Sequence, residues 1–161
     1  MRQFKLSLIA FLLLGVFGSS FTILPSAKNG NAHVNGGGTA IEGGAKSTFV
    51  FNAVELPDGT VNGHLHYNIR VSNVVFDMDI TCMTIDGNRA TLYGTVTSVS
   101  DNAPSYIYVG NTASFTVEDN GNGKSGDKIS DVFLAVPGGA VSCSDNWNTY
   151  LPVSGNISIS E

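Results

Sequence analysis

From Lys46 onward apolar and polar residues alternate, and turn-forming residues interrupt the alternation every roughly 8 to 12 positions. A period of two sends successive side chains to opposite faces of an extended chain, so one face is oily and the other wet. The pattern predicts strands over 47–56, 63–71, 74–85, 89–99, 105–110, 113–119, 128–136 and 155–160. Turns at Pro57, Asp58 and Gly59, and at Asp86, Gly87 and Asn88, separate the early ones. No window carries apolar residues at helical spacing for long enough to predict a helix. The expectation is an all-β domain of about eight strands, consecutive ones pairing antiparallel. Closing such a sheet removes vulnerable edges, which favours a small antiparallel β-barrel over the alternative, a β-sandwich.

The stretch 64–82, HLHYNIRVSNVVFDMDITC, carries the sharpest local prediction. If Ser72 and Asn73 form a two-residue hairpin loop, Ile69 opposes Phe76, Tyr67 opposes Met78 and Leu65 opposes Ile80 on the oily face. The wet face then pairs Asn68 with Asp77, His66 with Asp79 and His64 with Thr81. Two imidazoles and two carboxylates share that patch, so His64, His66, Asp77 and Asp79 form a candidate ligand set for zinc or another divalent ion. A metal-dependent enzyme built on His64, His66 and Asp79 is one functional expectation. The plainer alternative is an exposed cross-strand pair, a contribution of about 0.2–1 kcal/mol. A flat, solvated face gives chelating histidines no supporting shell.

The remaining sequence sets the address and limits the partners. Residues 1–27 read as an export signal: Arg2 and Lys5 precede the apolar run 6–17, which is short for a membrane span, and small residues follow. Cleavage after Ser20, Ala27 or Ala32 would each leave a small residue at the cut, and an uncleaved anchor is the alternative. Residues 28–45, rich in Gly and Asn, read as a flexible leader to a single β domain over 46–161. Removing the signal takes away two basic residues and no acidic one, moving the formal charge from -5 to about -7. Such a surface repels phosphate backbones, which excludes nucleic acid as a partner, and nothing after the signal would insert in a membrane. The protein is therefore expected to be secreted or periplasmic. In that oxidising setting Cys82 and Cys143 read as one disulfide, with buried free thiols or a metal pair as alternatives.

Residues 118–131, EDNGNGKSGDKISD, mix carboxylates with glycines in the manner of a calcium loop, so Asp119, Asn120, Asp127 and Asp131 are candidate calcium ligands. The spacing departs from the EF-hand pattern, and a polar glycine-rich turn is the alternative. Trp147 could stack on a ligand such as a sugar, or cap the core. No serine lies in a G-x-S-x-G elbow and no nucleophile–base pair is evident.

Several motifs recur together in one family. Cys82 is followed by an apolar residue, then Gly87, Asn88 and Ala90; Asp119, Asn120, Gly121 and Asp127 form an acidic D-N-G…D loop; Cys143 precedes PVSGNIS at 152–158. Over roughly 47–159 the chain resembles a group of exported bacterial β proteins similar to the module known as post-COAP. The resemblance implies an all-β fold and supports pairing of Cys82 with Cys143. It implies no activity. The functional expectation is a secreted, non-enzymatic β-barrel with a binding or structural role, a calcium-stabilised adhesion module or the metal-dependent enzyme being the alternatives.

Overall fold

The computed structural model describes residues 31–121, 126–137 and 139–161. The expected export signal at 1–27 lies outside the described residues. Those described form one antiparallel ten-stranded sheet without a helix: β1 (His33–Glu42), β2 (Ala45–Glu55), β3 (Val61–Ile69), β4 (Val74–Asp86), β5 (Arg89–Val99), β6 (Thr112–Glu118), β7 (Lys128–Ile129), β8 (Phe133–Leu134), β9 (Leu151–Pro152) and β10 (Ser154–Ser160). The strand order is β10-β1-β2-β3-β4-β5-β6-β7-β9, with β8 also against β6. Because β9 runs through Val153 straight into β10, the two ends of that path meet and the sheet nearly closes into a barrel. No helix among the described residues is long and apolar enough to cross a membrane.

The inward positions are apolar and the lumen is filled. Leu65, Phe76, Met78, Leu92, Phe115 and Ile157 are among the fully buried side chains. Removing one such side chain from water contributes roughly 1.5–3 kcal/mol. An aromatic row crosses the interior from Phe51 to Phe49, Tyr67 and Phe76, with Phe115 edge-on to Phe51.

Four sequence expectations are corrected. The segment taken as a flexible leader, 28–45, contains β1, which pairs with both β2 and β10. Its glycines make room rather than slack: a Cβ on Gly36 would lie 2.8 Å from the Phe51 ring, and one on Gly155 of β10, opposite Gly38, would lie 2.0 Å from the Gly37 carbonyl oxygen. The 64–82 hairpin turns through four residues, 70–73, with Asn73 in the left-handed region (φ 52°), so Ile69 faces Val74, Tyr67 faces Phe76 and Leu65 faces Met78. That two-residue shift preserves which side each residue faces. Residues 105–110 are not a strand; Ile107 alone is buried there, and turn hydrogen bonds such as Ile107 N–H to the Pro104 carbonyl satisfy the backbone. The strand expected over 128–136 is split into β7 and β8, because the Ser130 hydroxyl takes the Thr116 amide at 2.9 Å.

Candidate functional site

On the outer wall, β3 and β4 set His66 opposite Asp77 and His64 opposite Asp79, instead of the expected His66–Asp79 and His64–Thr81 pairs. His66 Nδ1 lies 2.7 Å from Asp77 Oδ1, His64 Nε2 3.5 Å from the same oxygen, and His64 Nδ1 3.4 Å from Asp79 Oδ1. Partial desolvation pushes the Asp77 carboxyl up, but hydrogen bonds from His66 and Ser98 and the nearby imidazoles outweigh it and hold it below the usual range. Both imidazoles thus turn toward one oxygen each of Asp77 and Asp79. Among the described residues no set of three or more His, Cys, Asp or Glu side chains is arranged to hold a metal ion.

The acidic loop works at the barrel seam. Asp127, 2% exposed, accepts the Asn120 amide on Oδ1 (3.0 Å) and the β10 amide of Ile157 on Oδ2 (2.7 Å). Asp119 accepts the amides of Gly121 (2.9 Å) and Ile159 (3.1 Å). Asn120 donates to Glu118 and to the Gly126 carbonyl. A buried carboxylate is tolerated only when its oxygens are supplied with donors, and Asp127 receives backbone amides on both, while the partly buried Asp119 takes two more. Three of the four candidate calcium ligands thus gather at the seam. Asp131 lies elsewhere, accepting the Tyr150 hydroxyl at 2.5 Å.

A third region is a strap, residues 139–149, laid over the outside of β4, β5 and β6. Cys82 of β4 and Cys143 of the strap form a disulfide, S–S 2.13 Å. The Thr91 hydroxyl donates to the Asp145 carbonyl, and Arg89 donates to the Trp147 carbonyl and to Asn146. Trp147 stacks on Phe133 at 4.0 Å and its indole N–H donates to Ser114 Oγ at 2.6 Å. Trp147 therefore caps the strap, one wall of a shallow apolar groove of about 190 Å³. A polar groove of about 170 Å³ beside the disulfide is lined by Thr84, Asp86, Arg89, Cys143, Ser144 and Asn146 among others.

The fourth region was not singled out by sequence. The β1–β2 turn, the 70–73 turn and the 100–111 connection emerge at one end of the barrel. Of eight exposed large hydrophobic residues among those described, seven lie at this end: Ile41 at the end of β1, Val71 in the turn, Tyr106, Tyr108 and Val109 in the connection, Val136 after β8 and Tyr150 before β9; Val50 on the wall is the eighth. Within this rim, at the barrel mouth, stand Glu42, Asp131, Tyr67 and Tyr150. Burial first, then the Asp131 charge and a hydrogen bond to Asp131, push the Glu42 carboxyl up. The Tyr150 hydroxyl, bonded to Asp131, is pushed up to about 12. Burial raises Tyr67 too, with the nearby Ser47 hydroxyl opposing it and Glu42 and Asp131 adding to it. The available signal was parity: Glu42 shares the inward side of Ala40, two residues before it in the extended β1. Treating 28–45 as a leader hid it.

Compared with family models, with curated proteins and with solved structures, the chain matches none.

Proposed function

We propose that this chain is an exported, non-enzymatic β-barrel domain that acts by binding through its turn-bearing end. The observation that carries this reading is the gathering of seven exposed large hydrophobic residues at that end. Soluble domains scatter such residues singly, and a concentration of them marks an interaction surface. The filled lumen and the disulfide suit a rigid scaffold that presents loops. The similarity of the Cys82, Asp119–Asp127 and Cys143 motifs to post-COAP-type modules supports export from a bacterium, and the predicted signal at 1–27 and the disulfide favour the same address.

The test compares retention of the exported protein on the surface of its producing cells by sedimentation. Replacing Tyr106, Tyr108 and Val109 together by Ser should abolish retention, while Val50→Ser on the wall should leave it unchanged; unaltered melting of both variants excludes misfolding. Retention of the triple variant, or equal loss with the wall variant, would remove this reading.

A further inference from the structure

The exposed apolar residues of the rim are carried on a rigid support. Ile107, 5% exposed, plugs the 100–111 connection into the core, while its neighbours Tyr106, Tyr108 and Val109 stay in water. Buried Asn111 clamps the same connection, donating to the Tyr106 carbonyl at 3.0 Å and to the Ala135 carbonyl at 3.2 Å. Asn102 donates to the Ser72 carbonyl at 2.6 Å, and the Arg70 amide to the Lys46 carbonyl at 3.0 Å. These bonds join the connection, the 70–73 turn, the start of β2 and the segment after β8 into one ring. On it Val71 is 74% exposed, and Ile41, paired with Lys46, is 63% exposed. Apolar tips held this firmly keep their area in water until a partner removes it.

Shape and charge select the partner. The apolar residues sit on separate tips, the β1–β2 turn, the 70–73 turn and the 100–111 connection, which suits a deformable layer better than a matched protein surface. Tyrosine rings such as those of Tyr106 and Tyr108 favour the boundary between hydrocarbon and headgroups. Exposed Lys46 and Arg70 flank the tips. Among the described residues the Lys and Arg ion pairs, from Arg89 and Lys128, go to Glu118 at the far end, and Lys46 and Arg70 enter none. They stand against Glu42, Asp101 and Asp131, which leaves the rim close to neutral. The far end is acidic: Glu55, Asp58, Asp86, Glu118 and Asp119 outnumber Arg89 and Lys128 there. A lipid layer therefore receives the rim more readily than the opposite pole. The wall stays outside it, since exposed His64, His66 and Asp79 stand where a spanning barrel needs an apolar band.

We propose that the rim docks on a zwitterionic phospholipid surface, with Ile41, Val71, Tyr106, Tyr108 and Val109 entering the headgroup layer and Lys46 and Arg70 reaching lipid phosphates. The proposal rests on the binding reading above and names its partner. Attachment is peripheral and reversible, because a few side chains withdraw far less area from water than a spanning segment does. Its apolar part dominates, so salt weakens it little.

The test is co-sedimentation of the full exported protein with phosphatidylcholine vesicles. The bound fraction should rise with lipid and persist in about 0.5 M sodium chloride, where exposed charges are screened. Replacing Tyr106, Tyr108 and Val109 together by Ser should lower the partition coefficient by about tenfold or more, in line with the apolar area withheld. Should that variant melt below the parent, Ile41→Ser combined with Val71→Ser on the other tips decides. Val50→Ser on the wall should bind as the parent does. Vesicles with brominated acyl chains should quench the fluorescence added by Tyr108→Trp and not that added by Val50→Trp. No lipid-dependent sedimentation, undiminished binding of both rim variants, quenching of the wall tryptophan alone, or loss of binding in salt would overturn the proposal. Rim variants that lose cell retention while the parent ignores vesicles would overturn this proposal alone, leaving the rim reading with a protein partner.

Discussion

Two stretches of the barrel's outer surface are written in the same alphabet and end differently. On β5 and β6 the outward residues Thr91, Ser114 and Thr116 are buried; on β3 and β4 the outward residues His64, His66 and Asp79 remain exposed. The difference is the strap. Thr91 and Thr116 share a 2.9 Å hydrogen bond, and the strap supplies the rest: the Trp147 amide and indole, and the Asp145 carbonyl. Without such a cover, the β3–β4 side chains turn to one another and to water. A polar face therefore becomes structural when a distant segment brings complementary donors and acceptors to it.

The largest test of that contrast is to cut the strap's tether. Replacing Cys82 and Cys143 together by Ser should cost about 4 kcal/mol, the loop-closure value for a ring of this size, read from denaturant midpoints with and without reductant. A loss near zero would mean that the hydrogen bonds alone hold the strap down. Next comes Arg89→Met, which keeps the stem but strips the donors to Glu118, Asn146, Thr149 and the Trp147 carbonyl. A loss of about 2 kcal/mol is expected, with a more exposed Trp147 seen in its fluorescence.

The bare face should respond weakly. Asp77→Asn should cost less than about 1 kcal/mol at neutral pH. The Asp77 carboxyl is held low in the fold, so its contribution is present above its unfolded value and lost as pH falls through its folded one. Variant and parent melting curves should therefore converge in acid. If Asp77→Asn cost as much as Arg89→Met, the two faces would not differ in kind. The smallest effect, of opposite sign, belongs to the mouth. The Glu42 carboxyl is held high, so the fold is penalised once pH exceeds its unfolded value. Glu42→Gln should raise the melting temperature slightly at neutral pH and lose that advantage in acid.

The alternation over 47–99 made the sheet legible, and the side each residue faces in 64–80 emerged as the pattern predicts, whereas a bulge between Ile80 and Cys82 turns Cys82 to the outer wall. The exact partners did not, because parity is blind to a two-residue change in loop length. Glycine was the second blind spot. In the 28–45 segment it reads as slack, but Gly36 gives way to Phe51 and Gly155 to the Gly37 backbone, contacts that exist only once β2 and β10 are in place. The acidic loop shows a third limit: composition announced carboxylates in need of partners without saying that the partners of Asp119 and Asp127 would be amides some 30 to 40 residues away in β10. The mouth escaped for a related reason, since Glu42, Asp131 and Tyr150 meet only through closure of the barrel.

The adjacency of β1 and β10 has a temporal corollary. Among the described residues the strand made first borders the one made last, so a growing chain holds His33–Glu42 half-satisfied until Ser154–Ser160 arrives. Maturation is thereby postponed to the completed polypeptide. Any product halted before residue 154 presents an open, glycine-rich border to its neighbours, the kind of border on which chains stick together.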